Sequence, residues 1–195
     1  AGAVRVVTLN CGGGHPDALA ETLPLKPDIL LLQEPPSRTE TELFCKRLFG
    51  PAGETRYDVD TAILIRGNLT DVRKSDSRVF YSHARAVMAG FRRVDLVSLR
   101  LDTGYVQFNL WNPDCWRTHY RWRLRQLAQM REIATELPAQ TPLLVAGDFN
   151  APQKDRIFSI LPAGMQDVFA VAGKGIGNTI LNEIPVLRID QIWVS

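Results

Sequence analysis

Five side chains stand where chemistry would need them. Asn10 closes the apolar run Val4–Leu9 (VRVVTL), Glu34 closes Asp28–Gln33 (DILLLQ), Asp148 and Asn150 follow Leu143–Gly147 (LLVAG), and Asp190 interrupts Arg188–Val194 (RIDQIWV). Runs of this length, rich in β-branched and aliphatic residues, read as buried strands, and strand ends in α/β architectures gather into a shared crevice. Carboxylates and carboxamides collected there offer hard oxygen donors suited to Mg²⁺ or Mn²⁺. Such a cation relieves the repulsion among the carboxylates and takes up charge on a phosphoryl oxygen, while a spare carboxylate orients and deprotonates water. Each residue alone also has a plain structural reading. Glu34 before Pro35-Pro36 suits an exposed loop, Asn10 before Gly12–Gly14 suits a turn, Asp148 suits a cap, and Asp190 suits an ion pair with Arg188. Together, at strand ends, they point to a metal-assisted phosphoester site.

The elements that must hold these residues can be read around them. Gly12–Gly14 break the first strand and Pro16 opens a helix. Ser37-Arg-Thr-Glu40 has the pattern of a capping box, so a helix to about Leu48 should follow the second strand. Thr61–Ile65, Ala84–Phe91 and Val94–Leu101 are further strands, the last two joined as a hairpin by a turn at Arg92-Arg93. Apolar positions from about His119 to Leu137 recur at helical spacing until Pro138, and a short helix is expected near Arg156–Leu161. The sum is a mixed α/β domain of two packed sheets with helices outside.

Composition excludes several classes. The chain has 195 residues, 45% hydrophobic and 23% charged, with net charge +2, which suits one soluble globular domain and permits an anionic ligand. Cys11, Cys45 and Cys115 are too few and too far apart for a disulfide framework or a zinc motif. They lean toward a reducing compartment, and a cytoplasmic monomer is the expectation. No apolar run is long enough for a membrane span. Gly12-Gly13-Gly14 with Glu34 about twenty residues on mimics a dinucleotide-binding unit, but the third glycine of that fingerprint would fall on Asp17, which would face a pyrophosphate.

Two further stretches are informative. Trp111, Trp116, Arg117, His119, Tyr120, Arg121, Trp122, Arg123 and Arg125 crowd rings beside guanidinium groups, as nucleic acid or phosphorylated ligands require. Because the overall charge is modest, the plainer reading is preferred: a helix whose tryptophans pack inward while its arginines face solvent. Gly173–Asn178 (GKGIGN) reads as a flexible turn before an anion-binding nest.

With these residues in view, TLN at Asn10, LLLQE at Glu34, VAGDFN at Asp148 and Asn150, and RIDQIWVS at Asp190 together resemble the endonuclease/exonuclease/phosphatase superfamily. That superfamily includes abasic-site endonucleases, pancreatic-type deoxyribonucleases, inositol polyphosphate phosphatases and sphingomyelinases. The resemblance implies a four-layered α/β sandwich and Mg²⁺-dependent phosphoester hydrolysis, with DNA among the candidate substrates. It implies that Glu34 ligates the metal with Asn10 close by, that Asp148 activates water, and that Asn150 orients the water or the phosphate. Asp190 in that pattern holds a late histidine, and it also enters the expected metal set with Glu34 and Asn10. Where family members carry a histidine at the end of the strand matching VDLVSLRL, this chain has Arg100, which can clamp a phosphate but cannot act as an acid. The family's last motif, Ser-Asp-His, has no counterpart before Ser195, and none of His15, His83 or His119 stands in its place. The reading is therefore one domain over residues 1–195, short of a final strand. A phosphate-ligand or protein binding module is the alternative to the enzyme.

Overall fold

The computed structural model describes residues 3–73, 79–88, 93–103, 111–138, 141–180 and 187–195. Two mixed sheets face each other. The first contains β1 (Val6–Asn10), β2 (Ile29–Gln33), β3 (Gly53–Tyr57) and β4 (Thr61–Arg66) in the order β1-β2-β4-β3. The second contains β5 (Asn68–Arg73), β6 (Phe80–Val87), β7 (Val94–Arg100), β8 (Leu143–Asp148), β9 (Gln166–Asp167) and β10 (Asp190–Val194) in the order β5-β6-β7-β8-β10-β9. β1 and β2 run parallel with α1 (Pro16–Ala20) between them, and β7 and β8 run parallel around α3 (Pro113–Glu136). The other pairings are antiparallel.

The apolar runs divide between faces by their period of two. Ile29 and Leu31 of β2 point between the sheets, with Ile63, Ala84, Leu96 and Ala146. Leu30 and Leu32 point outward beneath Phe44 and Phe49 of α2 (Arg38–Phe49). On the far side, Val97, Leu99 and Val145 are covered by Met130 and Ile133 of α3. Both faces of both central sheets are thus buried, which is why β2 reads as an uninterrupted apolar run. Helix, sheet, sheet and helix make the four layers expected from the sequence.

The capping box forms: Ser37 accepts from Glu40 N–H while the Glu40 carboxylate accepts from Ser37 N–H. The β6–β7 hairpin forms, although its expected turn at Arg92-Arg93 lies partly outside the described residues, as does the expected strand end at Phe91. Two strands carry little apolar signature. β3 (GETRY) and β5 (NLTDVR) lie at sheet edges, where a strand needs only one neighbour, and polar residues are tolerated there. The expected helix at Arg156–Leu161 is a short 3-10 turn, Arg156–Ile160.

The plainer reading of the arginine–aromatic stretch holds for the helix and for the solvent-facing Arg117, Arg121 and Arg125, and fails for Trp111 and Trp116, while Trp122 is half-buried. α3 begins at Pro113, with Asn112 as its N-cap, and Trp111 is 93% exposed and Trp116 56% exposed. Its inward face is instead built of Cys115, Gln126, Met130 and Ile133. α4 (Val168–Ala172) lies between β9 and β10 in sequence, and in the loop after it Gly173 and Gly177 lie so close to the Phe169 ring that a Cβ at either would overlap it.

Candidate active site

The five residues converge from both sheets. Asn10 ends β1, and its Nδ2 donates to Glu34 Oε1 at 3.2 Å and to Asp148 Oδ2 at 3.0 Å. One carboxamide therefore ties a carboxylate of the first sheet to a carboxylate of the second, across 138 positions of sequence. Its Oδ1 accepts from Gly12 N–H at 2.9 Å, which fixes the amide's orientation. Three consecutive glycines with positive φ, 59°, 86° and 80°, let the chain leave β1 and fold back so that Gly14 N–H meets Glu34 C=O at 3.0 Å.

Glu34 directly follows β2 and Asn150 lies two residues beyond the end of β8, and both hold left-handed backbones, at φ 48° and 47°. Strain at two site residues that are neither glycine nor in regular structure is the kind tolerated where function sets the conformation. Asn150 is fastened by its own bonds: N–H to Asp148 Oδ1 at 2.8 Å, and Nδ2 to Leu101 C=O at 2.8 Å and to Asp148 Oδ2 at 3.1 Å. Gln126 of α3 adds a donor to Asn150 C=O. The preceding Gly147 has no alternative. A Cβ there would sit 2.0 Å from Leu99 C=O and 3.0 Å from Gln33 Nε2, at φ 143°.

Register completes the row. Across the second sheet Arg100 pairs with Asp148, and Asp148 pairs with Asp190. Arg100 Nε lies 3.0 Å from Glu34 Oε1, a charge pairing that is not aligned as a hydrogen bond, and its Nη1 donates to Asp60 Oδ2 at 2.7 Å. Asp60, in the turn before β4, was not marked by the sequence. A lone aspartate in a turn carries no pattern, and it acquires meaning only because Glu34 N–H bonds to Asp60 C=O and Arg100 reaches across.

Burial governs the electrostatics. Asp148 is 4% exposed, and its carboxyl is pushed up to about 7, first by desolvation and then by the charge of Asp190, against hydrogen bonds from Asn150 and Asn10. Asp190 is also raised by burial, opposed by the Thr179 hydroxyl. Asp190 Oδ1 is buried without a hydrogen-bond partner among the described residues. The plain reading of Asp190 as the partner of Arg188 fails, because Arg188 grips Asp167 with both terminal nitrogens. Asp60 is raised by partial burial, with Arg100 pulling it back.

Among the described residues no three carboxylate, imidazole or thiol side chains converge as a ready-made cation cage. Glu34 and Asn10 stand together, while Asp190 flanks Asp148 from the opposite neighbour strand. A cleft of about 450 Å³ opens beside Asp190, bounded by Thr8, Phe169, Ile176 and Thr179. The 173–178 loop, expected as a turn, forms its outer wall, with Ile176 82% exposed.

Beneath the site lies a polar layer between otherwise apolar sheets. Gln33 Nε2 donates to Ser98 Oγ at 3.0 Å, Thr8 Oγ1 donates to Gln33 Oε1, and Ser98 Oγ donates to Leu32 C=O. Thr61 and Ser82 hydroxyls meet at 2.8 Å. These groups dock the two sheets at one fixed spacing directly under the catalytic candidates.

A sequence model described as the Endonuclease/Exonuclease/phosphatase family matches residues 7–195. The uncharacterized protein YbhP of Escherichia coli strain K12 is 40% identical over 74 residues, which cover 37% of this chain and 29% of that protein. A humanized D. rerio TDP2 carrying 14 mutations superposes with a TM-score of 0.67 at 20% identity, over 98% of this chain and 82% of that one. D. rerio TDP2 complexed with a single-strand DNA product gives 0.64 at 19% identity, over 98% and 83%. At these identities the structural matches speak to the fold. No helix of the described residues is long and apolar enough to cross a membrane.

Proposed function

The chain belongs to the endonuclease/exonuclease/phosphatase family, and from that membership we propose that it is a divalent-metal-dependent phosphoester hydrolase acting through the Asn10–Glu34–Asp148 junction. The observation that carries the proposal is the Asn10 amide, held between a carboxylate of each sheet. A structural role alone does not call for a desolvated aspartate raised to about 7 next to a second buried aspartate.

The donors fit a hard cation. Glu34 and Asn10 supply oxygen ligands, the surroundings hold more carboxylates than Arg100 can neutralise, and Asp190 Oδ1 is buried without a partner among the described residues. Mg²⁺ or Mn²⁺ held by Glu34 and Asn10 would supply charge neutralisation at a phosphoryl oxygen. The chain's own groups do the rest. Asp148, poised near neutrality, takes a proton from the attacking water. Asn150 and Asn10 fix that carboxylate in place, with both hydrogens of each amide already committed to protein acceptors. The Asp190 carboxyl beside Asp148 raises the proton affinity of Asp148, second only to burial, and so favours its role as base. Arg100, at the family's histidine position, faces the phosphate as a donor.

Purified protein with Mn²⁺ or Mg²⁺ is expected to hydrolyse bis(p-nitrophenyl) phosphate. Asp148→Asn and Glu34→Ala should each lower kcat by about 10²-fold or more, with cation binding lost only in the second. Absence of turnover on diesters and monoesters alike, with cation binding intact, would overturn the hydrolase reading. One observation favours a second reading. Arg100 is held between Glu34 and Asp60, and a guanidinium locked there suits a module that binds phosphate ligands without cleaving them.

A further inference from the structure

α3 is 24 residues long, but only part of it lies on the sheet. Met130 and Ile133 are in the core, and Gln126 Nε2 donates to the carbonyls of Asp102 and Asn150, which marks the level of the strand ends. From Gln126 back to Pro113 the helix continues for about 20 Å at 1.5 Å per residue. A crossover helix between parallel strands runs opposite to them. This stretch therefore projects past the ends of β7 and β8, on the side of Asp148 and Asn150.

Its surface is unlike the rest of the molecule. Trp116, Tyr120 and Leu124 are 56%, 64% and 47% exposed, and a spacing of four sets them in one row along the helix. Arg117, Arg121 and Arg125 follow each by one position and form a second row about 100° around the helix from the first. Trp111, 93% exposed, stands just before the helix. Between Pro113 and Arg125 there are four arginines and one aspartate; Arg123 is half-buried against Asp155, so the solvent-facing positive charge comes from Arg117, Arg121 and Arg125. Arg117 pairs with Asp114 in full solvent, a contact of little strength that leaves its charge available. Arg125 stacks over Trp122 at 4.9 Å.

We propose that this overhang is a platform for a single-stranded polynucleotide. Bases stack on Trp116 and Tyr120, while phosphates meet Arg117 and Arg121. Rings and guanidinium groups in adjacent rows match a ligand that presents flat faces and anionic charge side by side. A helix lying in a lipid surface sets its apolar and basic faces opposite each other and needs a broader apolar face than three side chains, one a phenol. The proposal rests on the phosphoesterase reading only for the bond that is cut, since the strand binds whether or not it is cleaved.

Binding of a fluorescent single-stranded DNA oligonucleotide is measured by anisotropy with EDTA present, so that no cleavage occurs. Wild-type protein is expected to bind and to weaken as salt rises. Trp116→Ala/Tyr120→Ala and, separately, Arg117→Gln/Arg121→Gln should each weaken binding by about 10-fold or more, with hydrolysis of bis(p-nitrophenyl) phosphate and the melting temperature unchanged. No binding by wild type, equal binding by both variants, or Trp116-dependent attachment to phosphatidylserine vesicles in place of DNA would each overturn the platform. Strand binding that depends on Trp116 and Tyr120 in a protein that binds the cation but is inert toward small diesters and monoesters alike would retain the platform and remove the hydrolase reading instead.

Discussion

At Asp148, burial, the neighbouring Asp190 charge and hydrogen bonds from Asn10 and Asn150 act on one carboxyl group. Unfolded, that group ionises near 3.8; folded and free of metal, near 7. Between those values the folded chain holds a proton that the unfolded chain has lost. Stability is therefore complete below the unfolded value and is lost as pH rises through the folded one. In EDTA, the wild-type Tm should fall from about pH 4 to about pH 7. Asp148→Asn should flatten that fall, gaining about 2–4 °C at pH 8 for each kcal/mol recovered. An Asp148→Asn variant whose Tm tracks wild type across that range would show that the carboxyl is not strained by its site. A second test concerns Asp60. If it holds Arg100 in place, Asp60→Asn should raise KM for a small phosphodiester more than it lowers kcat, and should do nothing in an Arg100→Gln background. Asn10, Glu34, Asp148, Asn150 and Asp190 were legible because each interrupts an apolar run. Asp60, Gln33, Ser98 and Thr179 were not, since a polar residue in a turn or midway along a strand carries no signal until its partner arrives from another element.

Elements show the same division. β2, β4 and β8 are buried on both faces, so their sequences are nearly continuous apolar runs of strand length, while β7 buries Asp95 and Ser98 among its apolar residues. β3 and β5 are edge strands whose polar residues imitate loops, and they become strands only because β4 and β6 offer a hydrogen-bonding neighbour. α3 was legible as a helix but not in its orientation. Helical spacing shows that faces exist, and it cannot tell which part of a long helix outruns the sheet. Where an element turns tightly, the demands are steric. Gly147→Ala should destabilise by about 3 kcal/mol or more, because its Cβ meets the backbone of β7 and a flexible side chain cannot give way. Equilibrium urea unfolding tests this; a loss within ±0.5 kcal/mol would mean that β8 is free to shift. The Arg188–Asp167 pair clasps the start of β10 to β9, with the arginine side chain only 5% exposed and the aspartate 11%. Hydrogen bonds and charge from Arg188 carry Asp167 below its usual range despite the opposing effect of burial. Its contribution is present above the ordinary aspartate value and is lost as pH falls through the lowered one. Arg188→Met should cost about 3–5 kcal/mol at pH 7 by leaving a carboxylate stranded, and much less at pH 2.

At the scale of the whole molecule, two sheets must meet at one spacing for the site to exist. The Gln33–Ser98 and Thr61–Ser82 contacts set that spacing. Each is worth about 1 kcal/mol in stability, but their larger effect should be on rate. Gln33→Leu is expected to reduce kcat by at least 10-fold while Tm moves by only a few degrees, because the Asn10 amide would lose its hold on one of its two carboxylates. The Asn10–Asp148 bond itself spans 138 positions, and its consequence concerns time. A ribosome delivers β1 and β2 long before β8 and β10. Until the second half of the chain has been made and has docked, Asn10 and Glu34 lack Asp148, and a growing chain carries only part of the candidate site. Regain of activity on refolding should accordingly lag behind the recovery of secondary structure, as the last event to complete. An unfinished or clipped copy would hold Asn10 and Glu34 without Asp148, and so would lack the junction on which the proposed hydrolysis depends.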